Sequence, residues 1–501
     1  MLTEKNGILA NSVKAKENTE AASDLEFLQT KAYEAVTNYY VKGQTGSENE
    51  YILEELGKVS GVETSVSQGT VKYNGKTYDI SEIIGITSEQ KAIEKEEGLK
   101  QVTVATATDI GDKAILSETD SDKNAKVRMI IVEKTKNGEK VKAVIPNGFY
   151  YVTGKPSTGL VISDKFDDDD NNSKGGNQFV WVPCNGGKAT YQLHIYATAK
   201  ENDYDGAKDD TGNGGWRTYR YRNYSDWKDD GGETVNGQSV SSVKANSVEK
   251  YGGFYVGRFE AGEPTTANFY NDKDGSTYWQ SATGDDNYSK TYRSKDETKD
   301  ENSKNLLPVS KKNTPSWNYI SQTKSKIVSE NMYGESKTVK SYLIDGTAWD
   351  TTIQWISNST GRSLTEGCKD WGNYWDSNYT IKGLYAKHNY NKGWFPALVY
   401  KNGLYTKGSE YTEVATGAAV EGNPTRNTAC NIYDIAGNMW EWTTETGKYD
   451  SMVEKATTYA VRRGGSFDSG TFDYSVSSRT GFSSADDFSV NIGFRVVLYL
   501  Q

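Results

Sequence analysis

The chain has 501 residues, a net charge of −10 and 12 Trp, 35 Tyr and 49 Gly against only 2 His and 3 Cys. The acidic balance argues against a nucleic-acid partner, which needs a basic stripe. His194 and His388 cannot build a three-histidine iron or zinc centre, and Cys184, Cys368 and Cys430 are too few and too dispersed for a disulfide scaffold or a zinc cluster.

No run of eighteen apolar residues occurs, so no stretch reads as an apolar membrane-spanning helix. Residues 1–42 read as helix, with Leu25, Leu28, Ala32, Val36 and Tyr39 at the three-to-four residue spacing of one buried face. Residues 43–145 read as a small α+β domain of hairpins. Asn74-Gly75 and Asn137-Gly138 each sit between short apolar alternations, where two positive-φ residues close a tight turn, and 88–99 reads as a short charged helix. No catalytic constellation falls here, and the expected role is a spacer.

From Pro146 to the C-terminus, residues 146–501, aromatic strands alternate with long polar loops. Strands are expected at Phe179 to Val182 and Phe254 to Phe259. A helix is expected over 345–356, with Asp345 or Thr347 as N-cap and Trp349, Ile353 and Ile356 on one face. The acidic loops Asp167 to Asp170 and Asp272 to Gly275 are plain solvated loops or, less readily, calcium ligands. The aromatic-basic loop from Trp216 to Trp227 either lines a binding rim or rigidifies an insertion by Tyr/Arg stacking. The fold class is α+β, and the low aliphatic content fits a binding module or a loop-rich enzyme.

Three motifs stand near the C-terminus: NIYDIAGNMWEWT at 431–443, RRGGS at 462–466 and NIGFR at 491–495. On an extended segment Trp440 and Trp442 face one side and Glu441 the other. Gly464-Gly465 permits positive φ or close backbone approach, and Arg463 or Arg495 can pair with a buried carboxylate such as Glu441. The order and spacing of these motifs, with GNQFVWVP at 176–183 and LIDGTAWD at 343–350, resemble the formylglycine-generating enzyme, or sulfatase-modifying factor, family over roughly residues 146–501. That resemblance implies a C-type-lectin-like domain with long loops, preceded here by the N-terminal helix and the small α+β domain. It also implies a structural Ca²⁺ at Asp434, Gly437, Met439 and Glu441; without the ion, Asp434 would cap a turn and Glu441 would neutralise an arginine.

The family's chemistry depends on a reactive cysteine pair just after the Arg-Gly-Gly-Ser motif, and residues 467–475 contain no cysteine. Neither a copper ligand nor a thiolate nucleophile is therefore expected there. The related iron enzymes need three histidines, so iron is not expected either. Cys430 precedes the Asp434 motif and, like Cys184 and Cys368, reads as a small buried hydrophobe or half of a disulfide. Residues 232–239 have the spacing of a phosphate loop, but Gln238 stands in the lysine position, so no nucleotide is expected. The chain reads as non-enzymatic.

Residues 466–493 lack Lys, Glu, Gln, Met and Trp, types that form roughly a fifth of the chain. Codons ending in a pyrimidine cannot encode any of the five. The stretch, about 462–495 with its flanks, resembles the C-terminal variable region of diversity-generating-retroelement target proteins; ordinary selection of a Ser/Asp/Phe-rich ligand loop is the alternative. Either way the candidate contacts are the same. Phe467, Phe472, Tyr474, Phe482 and Phe488 supply aromatic anchors, and Asp468, Asp473, Asp486 and Asp487 supply acceptors. Ser469, Thr471, Ser475, Ser477, Ser483 and Ser484 supply adaptable hydroxyls, completing a paratope-like chemistry. Arg479 reads as a framework residue.

Finally, MLTEKNGILANSVKAKENTEAA at 1–22 resembles the stretch after the apolar helix of type IV pilin-like proteins. That implies cell-surface or pilus anchoring through a preceding helix, with assembly through the N-terminal helix. The function expected is surface-displayed binding of a protein or glycan on another cell, a host or a phage. The alternatives are a divergent oxidase or hydrolase on the same scaffold and a structural pilus subunit.

Overall fold

The computed structural model describes residues 23–35 except 26 and 33, 48–102 except 84–91 and 94, 126–192, 229–262 except 233, 236 and 237, 269–271, 277–279, 307–382 except 319, 386–389, 394–396, 404–407, 411–451 except 424, and 454–501 except 472, 473, 482, 483 and 490. The chain divides into two compact units, Met1–Lys95 and Glu96–Gln501.

In the first unit residues 23–25, 27–32 and 34–35 are helical, and Leu28, Ala32 and Ala35 bury against Ile52, Leu56 and Val71. Val36 and Tyr39 lie outside the described residues. Helix α1 (Glu48–Leu56) packs with an antiparallel sheet of β1 (Val62–Ser65), β2 (Thr70–Tyr73) and β3 (Lys76–Asp79). Between β2 and β3, Asn74 and Gly75 take φ of 49° and 75°, the two left-handed residues that a tight two-residue hairpin turn requires.

The second unit begins with the antiparallel sheet β4 (Leu99–Val102), β5 (Val127–Lys134) and β6 (Lys140–Pro146). Leu99, expected to end a charged helix, opens β4. At Asn137-Gly138 the turn differs from the expected two-residue form: only Gly138 is left-handed, at 83°. Thr135 accepts from Gly138 N at 2.9 Å and donates to Glu139 O at 2.9 Å, so the extra residues are absorbed in a longer loop with one glycine kink.

Two larger sheets follow, alongside several short two- and three-stranded pairings, and are formed by β7 (Tyr150–Thr153), β8 (Val161–Ser163), β9 (Gln178–Pro183), β10 (Gly253–Gly257), β11 (Val339–Leu343), β12 (Trp440–Ser451), β13 (Glu454–Arg463), β14 (Arg479–Gly481), β15 (Ile492–Phe494) and β16 (Val496–Leu500). An antiparallel sheet runs in the order β11-β16-β10-β9-β8-β7, which places the C-terminal strand between β10 and β11. Both faces of its centre are covered. Val180, Val182, Phe254 and Val256 join the core under Trp349 and Ile353, while Trp181 and Tyr255 meet edge-on at 5.0 Å on the other face and Tyr255 donates to Val144 O of β6 at 2.9 Å. Two-sided burial is why the sequence there is continuously apolar instead of alternating.

Among the described residues of this unit the α-helices are α2 (Val240–Tyr251), α3 (Gln322–Met332) and α4 (Gly346–Thr360). Helix α4 begins where expected. Asp345 caps it by accepting from Ala348 N at 2.7 Å, and Trp349, Ile353 and Ile356 are fully buried. The second sheet, ordered β14-β13-β12-β15, has one parallel pair, β12 with β15, where Trp440 faces Ile492. The fold is thus mixed α+β with strands dominant. Among the described residues no helix is long and apolar enough to cross a membrane.

Candidate functional site

The strand β12 brings the three C-terminal motifs together. Trp440 and Trp442 are buried; Trp440 meets Tyr474 edge-on at 5.1 Å and carries the Arg462 guanidinium 4.6 Å over its ring, and Trp442 donates to Ile320 O at 2.8 Å. Glu441 pairs with Arg495, the second of the two arginines the sequence offered, at 2.6 Å. Arg463 instead joins a buried ring of four charges. It reaches Asp350 and, at 3.4 Å, Glu445, while Arg479 bonds Asp350 and Glu445 at 2.7 Å each. All four side chains are essentially without exposure. Burial pushes the Glu445 carboxyl up, but Arg479 and Arg463 outweigh it and hold it below the usual carboxylate range. Arg479 is the framework residue expected of it.

This ring lies beneath the candidate loop. Gly464 and Gly465 take φ of 95° and 76°, and a Cβ on Gly465 would stand 2.6 Å from both the Tyr374 ring and Tyr474 O. The chain then turns back: Phe467 N donates to Asn438 O at 2.9 Å, and Trp349 Nε1 donates to Val476 O at 3.1 Å.

Within the expected contact set the side chains separate. Phe467, Ser469, Thr471, Ser475 and Ser477 are buried; Thr471 donates to Asp376 at 2.8 Å, and Ser475 and Ser477 share a hydrogen bond. Asp468 is half-buried and bonds Ser466 and Asn491. Tyr474, Asp487 and Phe488 are half-buried, and Ser484 and Asp486 are exposed. Phe472, Asp473, Phe482 and Ser483 lie outside the described residues, as do His194, the 216–227 loop and Asp272 to Gly275. The Ser484 turn is held by its own bonds, Ser484 N to Asp487 and Asp486 N to Ser484 Oγ, and Thr323 of α3 donates to Ala485 O.

The residues expected to hold Ca²⁺ do not fit it as they stand. Asp434 accepts from Gly417 N at 2.6 Å and Asn427 Nδ2 at 2.9 Å, and both oxygens of Glu441 face the Arg495 guanidinium. A cation needs oxygens turned toward it, and these are turned toward N–H donors. Burial lifts the Asp434 carboxyl to about 6, and burial lifts Glu441 despite Arg495. Glu260 lies in the same cluster and accepts from Ser316, Asn438 and Met439 N; burial, then Asp434 and Glu441, push it well up. Gly437 is left-handed at 74°, and its N donates to Gly464 O. Among the described residues no three His, Cys, Asp or Glu gather as a metal group. In the acidic loop, Asp168 is buried and accepts from Ser163, Asn172 and Gln178, a structural knot.

Cys184, Cys368 and Cys430 are free thiols, each pushed up by burial to about 12. They are protonated at neutral pH and poor nucleophiles or copper ligands.

Sequence reading missed four residues here. Asp350 and Glu445 partner the buried arginines, and the requirement of buried arginines for carboxylates was the available signal. Trp375 and Asp376 adjoin the loop: Trp375 N donates to Ser469 O at 3.2 Å, and Asp376 holds Thr471. Their signal was an aromatic residue set among Gly, Asn, Asp and Ser.

These features define a strand-rich, long-looped α+β domain whose C-terminal loop stands on a buried charge ring. Residues 350–500 match the family model described as sulfatase-modifying factor enzyme 1-like domain, which implies a C-type-lectin-like fold. The matched span contains all three C-terminal motifs; GNQFVWVP lies upstream of it. No curated protein matches the chain.

Proposed function

We propose that the chain is a surface-displayed, non-enzymatic ligand-binding protein. A pilin-like stalk and spacer carry a C-type-lectin-like domain, and the segment about 462–495 takes a protein or glycan ligand on another cell, a host or a phage. The observation that carries this reading is the division within one segment. Buried Phe467, Thr471, Ser475, Ser477 and Arg479 lock it to the domain, while Asp468, Tyr474, Ser484, Asp486 and Phe488 are left at least partly accessible. Such a division lets the presented positions change while the buried ones keep the fold, as retroelement diversification would require. Its composition, free of every residue type that pyrimidine-ending codons cannot encode, supports that origin.

Against catalysis stand the cysteine-free stretch 467–475 and thiols that are buried at Cys184 and Cys368 and half-buried at Cys430, each pushed up to about 12. Surface display rests on the resemblance of residues 1–22 to pilin-like proteins. The test is a printed array of glycans and bacterial surface proteins, probed with the full chain and with a variant carrying Asp468→Ala, Tyr474→Ala, Ser484→Ala and Asp486→Ala. The expected result is capture lost in a variant that near-UV circular dichroism shows to be folded. A copper-loaded sample that oxidises a cysteine-containing peptide would instead establish the oxidase alternative.

A further inference from the structure

We propose that Trp375 is a pre-set stacking platform for one ring of a neutral saccharide, so that the ligand of the neighbouring loop is a glycan. This inference rests on the ligand-binding reading of that loop. Trp375 is 40% exposed, although most of the domain's tryptophans around it are buried. Its place is fixed with unusual thoroughness. Tyr374, Trp375, Asp376 and Ser377 form a tight turn, closed by Ser377 N to Tyr374 O at 3.1 Å and Tyr374 N to Ser377 Oγ at 3.0 Å.

The ammonium of Lys407, whose side chain is fully buried, donates to the carbonyls of Tyr374 at 2.6 Å and of Trp375 and Ser377 at 3.0 Å each. Burying a lysine head is costly unless its donors are satisfied, and here all three are directed at the turn that carries the ring. On the other side Gly470 lies against the indole; a Cβ there would stand 2.7 Å from Nε1. The turn and the loop are joined by Trp375 N to Ser469 O and by Thr471 to Asp376. A turn held this way loses little backbone freedom on binding, which is what pre-organisation contributes to affinity.

The chemistry around the ring selects the partner. A tryptophan that anchors a protein sits at the centre of a dry apolar contact. Among the described residues that the structure places against the indole or its turn, Gly470, Thr471, Asp376 and Ser377 are small or polar. A pyranose matches that border: its C–H face stacks on the indole, and its hydroxyls donate to carboxylates such as Asp376, which accept only. A nucleobase would also stack, but its phosphates would meet Asp376 and a chain of net charge −10. The same repulsion disfavours sialylated or sulfated sugars, which leaves neutral ones.

The experiment compares the full chain with Trp375→Ala and Trp375→Tyr on one printed array carrying neutral glycans, sialylated glycans and bacterial surface proteins. Near-UV circular dichroism checks the fold. The expected result is capture of neutral glycans, weakened more than about tenfold in Trp375→Ala, the loss of a stacking contact, and largely retained in Trp375→Tyr. Saturation-transfer NMR should then place the C–H protons of one sugar ring against the protein in the parent and not in Trp375→Ala. Neutral glycans that do not bind, or that bind Trp375→Ala as well as the parent, would overturn the inference. Capture of protein features alone, abolished by the loop variant, would overturn the saccharide while leaving the ligand-binding reading in place.

Discussion

Arg495 closes on Glu441 with three hydrogen bonds, Nε to both carboxylate oxygens at 3.0 and 3.1 Å and Nη2 to Oε1 at 2.6 Å, while Nη1 and Nη2 reach Gly257 O and Tyr433 O at 2.9 Å. The pair ties the last motif to β12 and to the end of β10 in the central sheet. Glu441→Ala leaves the guanidinium buried and uncompensated and should cost about 3–5 kcal/mol in urea unfolding. Replacing both partners, Glu441→Leu with Arg495→Met, should recover most of that loss. A double variant as unstable as the single would contradict the pairing.

Arg479 spans Asp350 and Glu445 within the four-charge ring. Arg479→Ala removes one of two cations from two buried carboxylates, and the same order of destabilisation, about 3–5 kcal/mol, is expected. Lysine cannot reproduce the fork and should rescue little. The half-exposed pair Lys174–Asp167 is the control, where Lys174→Ala should change stability by less than about 1 kcal/mol.

Gly465→Ala should destabilise by about 1–3 kcal/mol from the left-handed backbone alone, and more because the added Cβ meets the Tyr374 ring and Tyr474 O. Gly138→Ala, left-handed but with nothing within 4 Å, should show only the backbone part. Equal losses at both sites would argue against tight packing under the loop.

Asp229 accepts from Gly346 N, Thr347 N and Thr347 Oγ1 at the start of α4, yet burial, followed by Asp345 and Glu445, lifts its carboxyl to about 8. A carboxyl raised above its ordinary 3.8 keeps its proton longer in the folded chain, so its contribution is complete below about pH 4 and lost as pH rises to about 8. The stability advantage of the parent over Asp229→Ala should therefore shrink across that window, by at most about 1.4 kcal/mol per pH unit. Urea midpoints at half-unit intervals measure it, and an advantage that grows with pH would contradict the assignment. Glu445 works in the opposite sense, since the arginines hold it down and its contribution is lost on acidification.

Local signals carried much of this fold. Asp345 as N-cap, the Asn74-Gly75 turn, the paired burial of Trp440 and Trp442 and the framework place of Arg479 all follow from short-range chemistry or motif spacing. What escaped is set by tertiary packing. Nothing near Glu445 or Asp350 in sequence distinguishes them from other acids, and only β12, α4 and β14 meeting in space makes them the arginines' partners. Phe467 and Tyr474 belong to one Ser/Asp/Phe-rich run without periodicity, yet Phe467 is buried and Tyr474 is partly open, because Phe467 N is drawn onto Asn438 O. Trp375 was equally hidden, since an aromatic residue in a polar loop is more often packed than presented.

The central claim is that accessible side chains of the 466–493 segment, on a buried anchor, bind ligand. Array capture by the full chain and by the Asp468→Ala, Tyr474→Ala, Ser484→Ala, Asp486→Ala variant tests it most directly, with near-UV circular dichroism on the same samples to check the fold. Clear capture by the parent and its loss in a folded variant are expected. Capture unchanged in the variant, or no capture by the parent, would contradict it.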